Sequence, residues 1–332
     1  MVQQSSFIAP WWCSNRHLQT LWGPLFRRTN ATALTHERLE LQDGDFLDLV
    51  WTARKDGPIV VMLHGLEGSS RSHYIPGMLE TIHSHGWRAV LFHFRGCSGE
   101  HNRLPRAYHS GDTGDFAAVL RHIRVRDPDA PLVALGYSMG GNVLLKWLGE
   151  TGANNPLCAG IAVSPTFNLH LAAQALDQGF SRVYQWHLVR RLVDKMKMKS
   201  QTVSFPFHVT QVEMLNTFRE FDDHITAPLH GFEGVDDYYS RSSCGPYLRD
   251  IRIPTLILHA KDDPFSSVEA IPTVDQLSPT TTLELSVHGG HVGFVQGSFP
   301  GREEYWLEKR IPEFLSQYLT TEETPPDRYR EV

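Results

Sequence analysis

The chain is poor in cysteine. Only Cys13, Cys97, Cys158 and Cys244 occur among its 332 residues, and no two of them form a CxxC pair. A disulfide framework is not expected in a chain this long with so few cysteines. We therefore expect four reduced thiols and a cytoplasmic protein.

Long apolar runs are also missing. No segment approaches the roughly eighteen consecutive apolar residues of a transmembrane helix. The N-terminus has no basic start, and Pro10 interrupts its only short apolar run, so no secretory signal is predicted. No transmembrane segment is expected, whereas peripheral contact with a membrane stays open.

Positive charge is not in excess. The 31 Lys and Arg residues and 37 Asp and Glu residues give a net charge of -6. Because nucleic-acid-binding proteins usually carry a basic face, no nucleic-acid partner is expected.

With 41% hydrophobic and 20% charged residues, the composition is that of an ordinary globular protein. Its length fits one large α/β domain with an insertion, or two smaller domains.

Short apolar runs alternate with longer segments of helical periodicity. Runs of this kind are typical of parallel strands that helices cover on both faces. The predicted strands are 47–53, 58–64, 87–94, 131–137, 159–164, 253–259 and 281–287. The predicted helices are 72–85, 112–126, 139–149, 268–277 and 303–319. The alternation predicts an α/β fold with a mostly parallel central sheet flanked by helices.

One long segment after the strand 159–164 interrupts this alternation and contains no convincing strand. Within it, one helical face is predicted from the spacing of Val183, Trp186, Val189, Val193 and Met196. Residues 180–200 carry a net charge of +5, and residues 201–240 carry -6. We predict a helical cap at 166–250, inserted into a core of 41–165 and 251–320. An N-terminal arm at 1–40 and a frayed tail at 321–332 complete the chain.

The most specific motif is G-Y-S-M-G-G at 136–141. It lies between a predicted strand and a predicted helix, where G-x-S-x-G is typical of a nucleophile elbow. The turn is so tight that the positions two before and two after the serine, Gly136 and Gly140, have no room for side chains. The following helix directs its first N–H groups and its positive end at the site. Ser138 is therefore the predicted nucleophile.

A serine hydroxyl needs a general base and an acid that orients the base. His291, in H-G-G-H-V-G-F after the strand 281–287, is the predicted base, and His288 is the local alternative. The H-x-x-H pair also fits a metal site, but no further ligand follows at a suitable spacing, so no metal is expected.

The acid is expected after the strand 253–259, where Asp262 and Asp263 compete. We favour Asp263 for its position in A-K-D-D-P-F, which makes Asp262 a solvated turn residue. The choice between them stays open at this point.

Stabilising an oxyanion takes two fixed backbone N–H donors. Met139, directly after the nucleophile, supplies the first. The second is predicted in H-G-L-E-G-S-S at 64–70, where the donor is Leu66. Gly65 and Gly68 let this backbone approach the substrate.

The segments HGLEGSS, GYSMGGN, HAKDDPF and GGHVGF, in this order, resemble the α/β-hydrolase superfamily. The segments at 95–116 and 10–24 narrow the resemblance to the YheT-like hydrolases (the AB hydrolase 4 group), which include eukaryotic lipases and esterases. The resemblance implies an α/β-hydrolase fold and hydrolysis of carboxylic esters without a cofactor. It also implies Ser138, Asp263 and His291 as the catalytic triad. Some eukaryotic members carry an H-x-x-x-x-D acyltransferase motif, which 122–127 matches literally at the end of a predicted helix, and we interpret that match as coincidence.

We therefore predict a serine esterase that acts through an acyl-enzyme on lipid-like or short-chain esters. The alternatives are an acyltransferase and a non-catalytic binding protein on a hydrolase fold. The sequence does not predict an oligomeric state.

Overall fold

A nine-stranded sheet forms the centre of the part of the chain that the structure describes. A computed structural model describes residues 1–28, 33–207 and 212–319. The strands are β1 (Val2–Gln4), β2 (Leu34–Glu40), β3 (Phe46–Thr52), β4 (Ile59–Leu63), β5 (Arg88–Phe92), β6 (Leu132–Tyr137), β7 (Ala159–Val163), β8 (Thr255–Ala260) and β9 (Thr281–Ser286). Their spatial order is β1-β9-β8-β7-β6-β4-β5-β3-β2, and the pairs β2–β3 and β3–β5 are antiparallel while the others are parallel. The predicted mostly parallel sheet is confirmed.

Helices cover both faces of this sheet, and further helices lie between β7 and β8 in the chain. They are α1 (Arg16–Phe26), α2 (Ile75–Ser84), α3 (Thr113–Arg126), α4 (Met139–Thr151), α5 (Leu169–Leu176), α6 (Ser181–Lys199), α7 (Phe218–Phe221), α8 (Ala227–His230), α9 (Val235–Ser242) and α10 (Leu307–Leu315). A π-helical turn, Asp222–Thr226, joins α7 to α8, and a small hairpin pairs β10 (Val295–Gln296) with β11 (Glu304–Tyr305). One face of the sheet packs against α3 and α4, and the other packs against α2 and α10.

The central strand β4 shows why the apolar runs of the sequence are unbroken. Ile59, Val61 and Leu63 pack toward α3 and α4, while Val60 and Met62 pack toward α2 and α10. Since successive side chains of a strand point to opposite faces, a strand covered on both faces needs an apolar residue at every position. Packing on both faces holds the strands firmly in place. The candidate site lies at the ends of these strands.

The elements of regular structure described between β7 and β8 are all helical, and part of their buried apolar side chains form two clusters separate from the core of the sheet. In α6 the predicted face is only partly correct. Val189, Val193 and Met196 are buried, but Val183 is 50% exposed and Trp186 is 62% exposed. The apolar stripe is therefore split, because the first half of α6 has no core behind those two positions.

The predicted helix 268–277 is wrong. Two 3-10 turns, Val268–Ala270 and Val274–Gln276, take its place. Pro272 has no N–H to donate and disfavours helical backbone at the residue before it. Ile271 accordingly has an extended ψ of 124°. The last predicted helix is also shorter than expected, since α10 covers Leu307–Leu315 and its predicted start lies beside β11.

Two strands near the N-terminus were not predicted. Val2–Gln4 pairs with β9 at one edge of the sheet, and Leu34–Glu40 pairs with β3 at the other. Their side chains are mostly exposed, so neither segment shows the apolar pattern of a buried strand. The predicted frayed tail, 321–332, lies outside the described residues.

Candidate active site

Ser138 lies in the turn between β6 and α4 and has the strained backbone expected of an elbow, with φ 53° and ψ -120°. A Cβ on Gly136 would lie 2.4 Å from the carbonyl oxygen of Gly140, and one on Gly140 would lie 2.5 Å from that of His64. Side chains at these two positions would therefore collide with backbone. The Ser138 N–H donates to the Val163 carbonyl at 2.8 Å, which ties the turn to β7.

His291 lies between Ser138 and Asp263. Its Nε2 is 2.8 Å from Ser138 Oγ, and its Nδ1 is 2.8 Å and 3.1 Å from the two oxygens of Asp263. Because a carboxylate only accepts, the Nδ1–H donates to Asp263, which leaves Nε2 free to accept the serine hydroxyl proton. The side chain of Asp263 is 1% exposed and that of His291 is 11% exposed. The three predicted residues thus form one hydrogen-bonded chain that is shielded from water.

Asp262 has a different partner set. Its Oδ1 accepts the Gly290 N–H at 3.0 Å, and its Oδ2 is 3.3 Å from Nδ1 of His288. Burial raises the pKa of Asp262, whose side chain is 19% exposed. The expectation of a solvated turn residue is therefore wrong, because Asp262 holds the loop that carries His291. His288 is directed at Asp262 and has no contact with Ser138.

No group of three or more His, Cys, Asp and Glu side chains is arranged to hold a metal ion within residues 1–28, 33–207 and 212–319. The two histidines of the H-x-x-H pair point to different carboxylates. Because each histidine has its own carboxylate partner, the pair suits a role in holding the loop that carries His291 and in orienting that base.

The loop at 64–70 lies against the elbow. A Cβ on Gly65 would be 3.2 Å from Ser138 Cβ, and the Gly65 N–H donates to Tyr74 Oη at 2.9 Å. The Gly68 N–H closes a turn onto the Gly65 carbonyl at 2.9 Å. The Leu66 N–H has no acceptor among the described residues. Met139 begins α4, where helical geometry supplies no acceptor for its N–H. Both predicted donors are therefore available to a ligand.

A cavity of about 440 Å³ opens beside Ser138 and extends beneath the helices between β7 and β8. Its wall is mainly apolar and includes Leu21 of α1, Leu188 of α6 and Phe221 of α7. Two acids, Glu67 and Asp222, also line it, and Asp222 accepts hydrogen bonds from Thr226 Oγ1 and Tyr239 Oη. Burial raises the pKa of Asp222 to about 7. The space suits an apolar chain next to the serine.

Several residues around the site were not predicted. Thr20 Oγ1 accepts the His291 N–H at 2.9 Å, and the Phe265 ring stacks on the imidazole at 4.1 Å. Thr20 lies in the segment 10–24 and Phe265 in HAKDDPF, two of the segments that carry the family resemblance, so that resemblance was the available signal. Asp222 has no local motif, since only folding brings it into the wall of the cavity.

Comparison with known proteins identifies the family of this chain. A family model described as the alpha/beta hydrolase fold matches residues 58–298. Escherichia coli YheT, named provisionally as an esterase, is 43% identical over 312 residues, which are 92% of each chain. Human phospholipase ABHD3 is 32% identical over 92% of this chain and 77% of its own. The solved structure of the Pyrococcus furiosus esterase Pf2001 has the same fold, with a TM-score of 0.58 and 18% identity over 89% of this chain and 98% of that one. This chain therefore belongs to the α/β-hydrolase family, in its YheT-like branch of esterase-type hydrolases.

Proposed function

We propose that the protein hydrolyses carboxylic esters, with Ser138 as nucleophile, His291 as general base and Asp263 as the group that orients His291. The observation that carries the proposal is the hydrogen-bonded chain from Asp263 through His291 to Ser138 at the side of the cavity. This arrangement is what nucleophilic catalysis by serine requires.

The reaction has two halves. In the first, His291 Nε2 takes the hydroxyl proton as Ser138 Oγ attacks the ester carbonyl. The N–H groups of Leu66 and Met139 stabilise the negative charge on the carbonyl oxygen. His291 then passes the proton to the departing alcohol, which leaves an acyl-enzyme on Ser138. In the second half, water attacks the acyl group with His291 again as base, and no cofactor takes part.

Replacing Ser138 with alanine tests the proposal. We expect the kcat for p-nitrophenyl butyrate to fall on the order of 10³-fold or more, because the nucleophile is removed. Labelling by a fluorophosphonate should be lost as well. Ser84→Ala, which changes an exposed serine of α2, is the matched control. Wild-type turnover by Ser138→Ala would refute the proposed nucleophile.

For the substrate, we propose lipid-like esters whose acyl chain lies under a cap formed by residues 166–250 on the hydrolase core. The mainly apolar wall of the cavity and the similarity to a human phospholipase support this. A series of p-nitrophenyl esters of increasing chain length provides the test. A maximum of kcat/KM at a medium or long chain supports the proposal, and a monotonic fall from acetate contradicts it.

We also propose peripheral contact of the cap with anionic lipid. No helix in the described residues is both long and apolar enough to cross a bilayer. At the start of α6, Phe180, Val183 and Trp186 are about half exposed or more, and an apolar surface of this kind can enter a membrane interface. We expect Trp186→Ser to reduce sedimentation with phosphatidylglycerol vesicles, with Val125→Ser, at an exposed position of α3, as the control. Absence of binding by the wild-type protein would refute this contact.

Acyl transfer remains the second candidate reaction, because an acyl-enzyme can react with an alcohol instead of water. The literal acyltransferase motif does not favour it, since His122 contacts Glu37 and Asp127 contacts Arg88, away from the cavity. Product analysis with added glycerol distinguishes the two reactions. A purely binding protein would leave Ser138 unlabelled by a fluorophosphonate.

We further propose a cytoplasmic location, supported by four cysteines that form no disulfide.

A further inference from the structure

We propose that Glu67 is a positioning residue that couples the cap to the oxyanion-binding loop, with Lys195 of α6 as its ionic partner. The inference rests on the proposed ester hydrolysis and adds a structural dependence to it. In this arrangement, a contact from the cap holds the Leu66 N–H in place.

Glu67 has a backbone that needs outside support. Its φ is 54°, in the left-handed region that a residue with a side chain adopts only with backbone strain. It directly follows Leu66, so any relaxation of Glu67 rotates the peptide unit next to the proposed oxyanion donor. The neighbouring Gly65 is in contact range of Ser138, which leaves little tolerance for such a rotation.

The support comes from two other segments of the chain. Tyr108 Oη accepts the Glu67 N–H at 3.0 Å and donates to Glu67 Oε1 at 2.7 Å. From α6, Lys195 Nζ donates to Glu67 Oε1 at 2.5 Å, and Arg191 Nη2 donates to the Glu67 carbonyl at 2.9 Å. The N–H, the carbonyl and the carboxylate of Glu67 are thus all bound, and two of the four contacts belong to the cap.

Because the ion pair between Glu67 and Lys195 is largely buried, its loss has a large effect on the surrounding structure. The Glu67 side chain is 4% exposed and that of Lys195 is 19% exposed, and Lys195 Nζ also donates to Cys97 Sγ at 3.2 Å. A buried ion pair broken on one side leaves an unpaired charge, which the structure relieves by moving. The closest segment with an unusual backbone is the loop at 64–70 itself. Movement there would displace the Leu66 N–H from the oxyanion.

The position of Lys195 and Arg191 also explains part of the basic character of α6. Lys199, one turn further along, donates to the Arg106 carbonyl at 2.8 Å. Three basic side chains of this helix therefore bind the core. Arg191 and Lys195 bind the loop at 64–70, and Lys199 binds the segment 95–116. A cap that lifts to admit substrate would release Glu67, and a cap that closes would restore it.

The test compares Glu67→Gln, Lys195→Met and the double variant. For each single variant we expect kcat with p-nitrophenyl butyrate to fall about 10- to 100-fold while KM stays within about twofold, because the contact acts on the transition state. Trifluoromethyl hexyl ketone, which forms a tetrahedral oxyanion on the serine, should bind more weakly by the same factor as kcat falls. The double variant should lose no more than either single variant, since both break one contact. Lys195→Arg should restore most of the kcat.

Lys197→Met is the matched control. Lys197 lies on the same helix and pairs with Glu213 of the cap, so its loss should leave kcat and ketone affinity unchanged. If Glu67→Gln or Lys195→Met does not fold, Arg191→Ala decides, because it removes the contact to the Glu67 carbonyl without leaving a buried carboxylate unpaired. Arg191 also lines the cavity, so kcat and ketone affinity are compared rather than KM. A several-fold fall in its kcat supports the proposal.

Folded Glu67→Gln and Lys195→Met proteins with wild-type kcat and ketone affinity would overturn the positioning role, as would a rise in KM at constant kcat. Ser138→Ala separates this failure from a failure of the proposed reaction. If Ser138→Ala is inactive while the Glu67 variants turn over normally, only the coupling is refuted. If Ser138→Ala is fully active, the reaction itself is wrong.

Discussion

Replacing each of the two neighbouring aspartates with asparagine separates their roles. Both oxygens of Asp263 lie within 3.1 Å of His291 Nδ1, in a side chain that is 1% exposed. Asparagine keeps this shape but can present an NH₂ group to Nδ1, which shifts the imidazole proton to Nε2. An Nε2–H cannot accept the proton of Ser138. The wrong tautomer lowers kcat by about 10⁴-fold, or about 5 kcal/mol of transition-state stabilisation.

Asp262→Asn should behave differently. The remaining amide oxygen can still accept the Gly290 N–H, which Asp262 now accepts at 3.0 Å. The ionic attraction to His288 is lost, but that histidine is about half exposed, so the attraction is weak. We expect kcat to stay within about tenfold of wild type, because only the support of the His291 loop is affected.

The assay is steady-state hydrolysis of p-nitrophenyl butyrate, with circular dichroism to show that both variants are folded. A larger loss of kcat in Asp262→Asn than in Asp263→Asn would refute the reasoning from geometry. So would an Asp263→Asn protein that retains more than about a tenth of wild-type kcat, because the tautomer argument allows far less.

Three further predictions concern stability. Gly140→Ala should lower the free energy of unfolding by about 1–3 kcal/mol in urea titrations, because its Cβ would lie 2.5 Å and 2.6 Å from two backbone carbonyl oxygens that cannot move aside. Arg95→Met should cost about 3–5 kcal/mol by the same measurement, since Arg95 is 3% exposed and pairs with three carboxylates at 2.7–2.9 Å, and an unchanged unfolding midpoint would contradict this. Because the pKa of Asp222 is raised from 3.8 to about 7, the folded protein retains a proton there that the unfolded chain releases, so this group lowers wild-type stability as pH rises through that range. Asp222→Asn removes this dependence, and its stability relative to wild type should therefore increase between about pH 4 and pH 7, whereas a constant difference would disprove the assignment.

The elements predicted well from sequence are those in which close contacts restrict the residue type at nearly every position. The strands β4 and β6 are apolar throughout because helices cover both faces, and the elbow glycines are required by backbone contacts that any side chain would break. The segment 268–277 was mispredicted because its apolar spacing was helical while Pro272 opposed a helix. The edge strand β2 was missed because an exposed strand needs no apolar pattern.

Local sequence therefore determined the α/β architecture, the nucleophile elbow and the identity of the candidate base, since each depends on residues that are close together in the chain. Only the tertiary structure decided between Asp262 and Asp263 as the partner of His291, because two adjacent side chains on one turn differ in direction and not in pattern. It also brought Glu67, Tyr108 and Lys195 together from three distant segments. Such contacts leave no local signal, since the charge that Glu67 needs is supplied by a helix more than a hundred residues further along the chain.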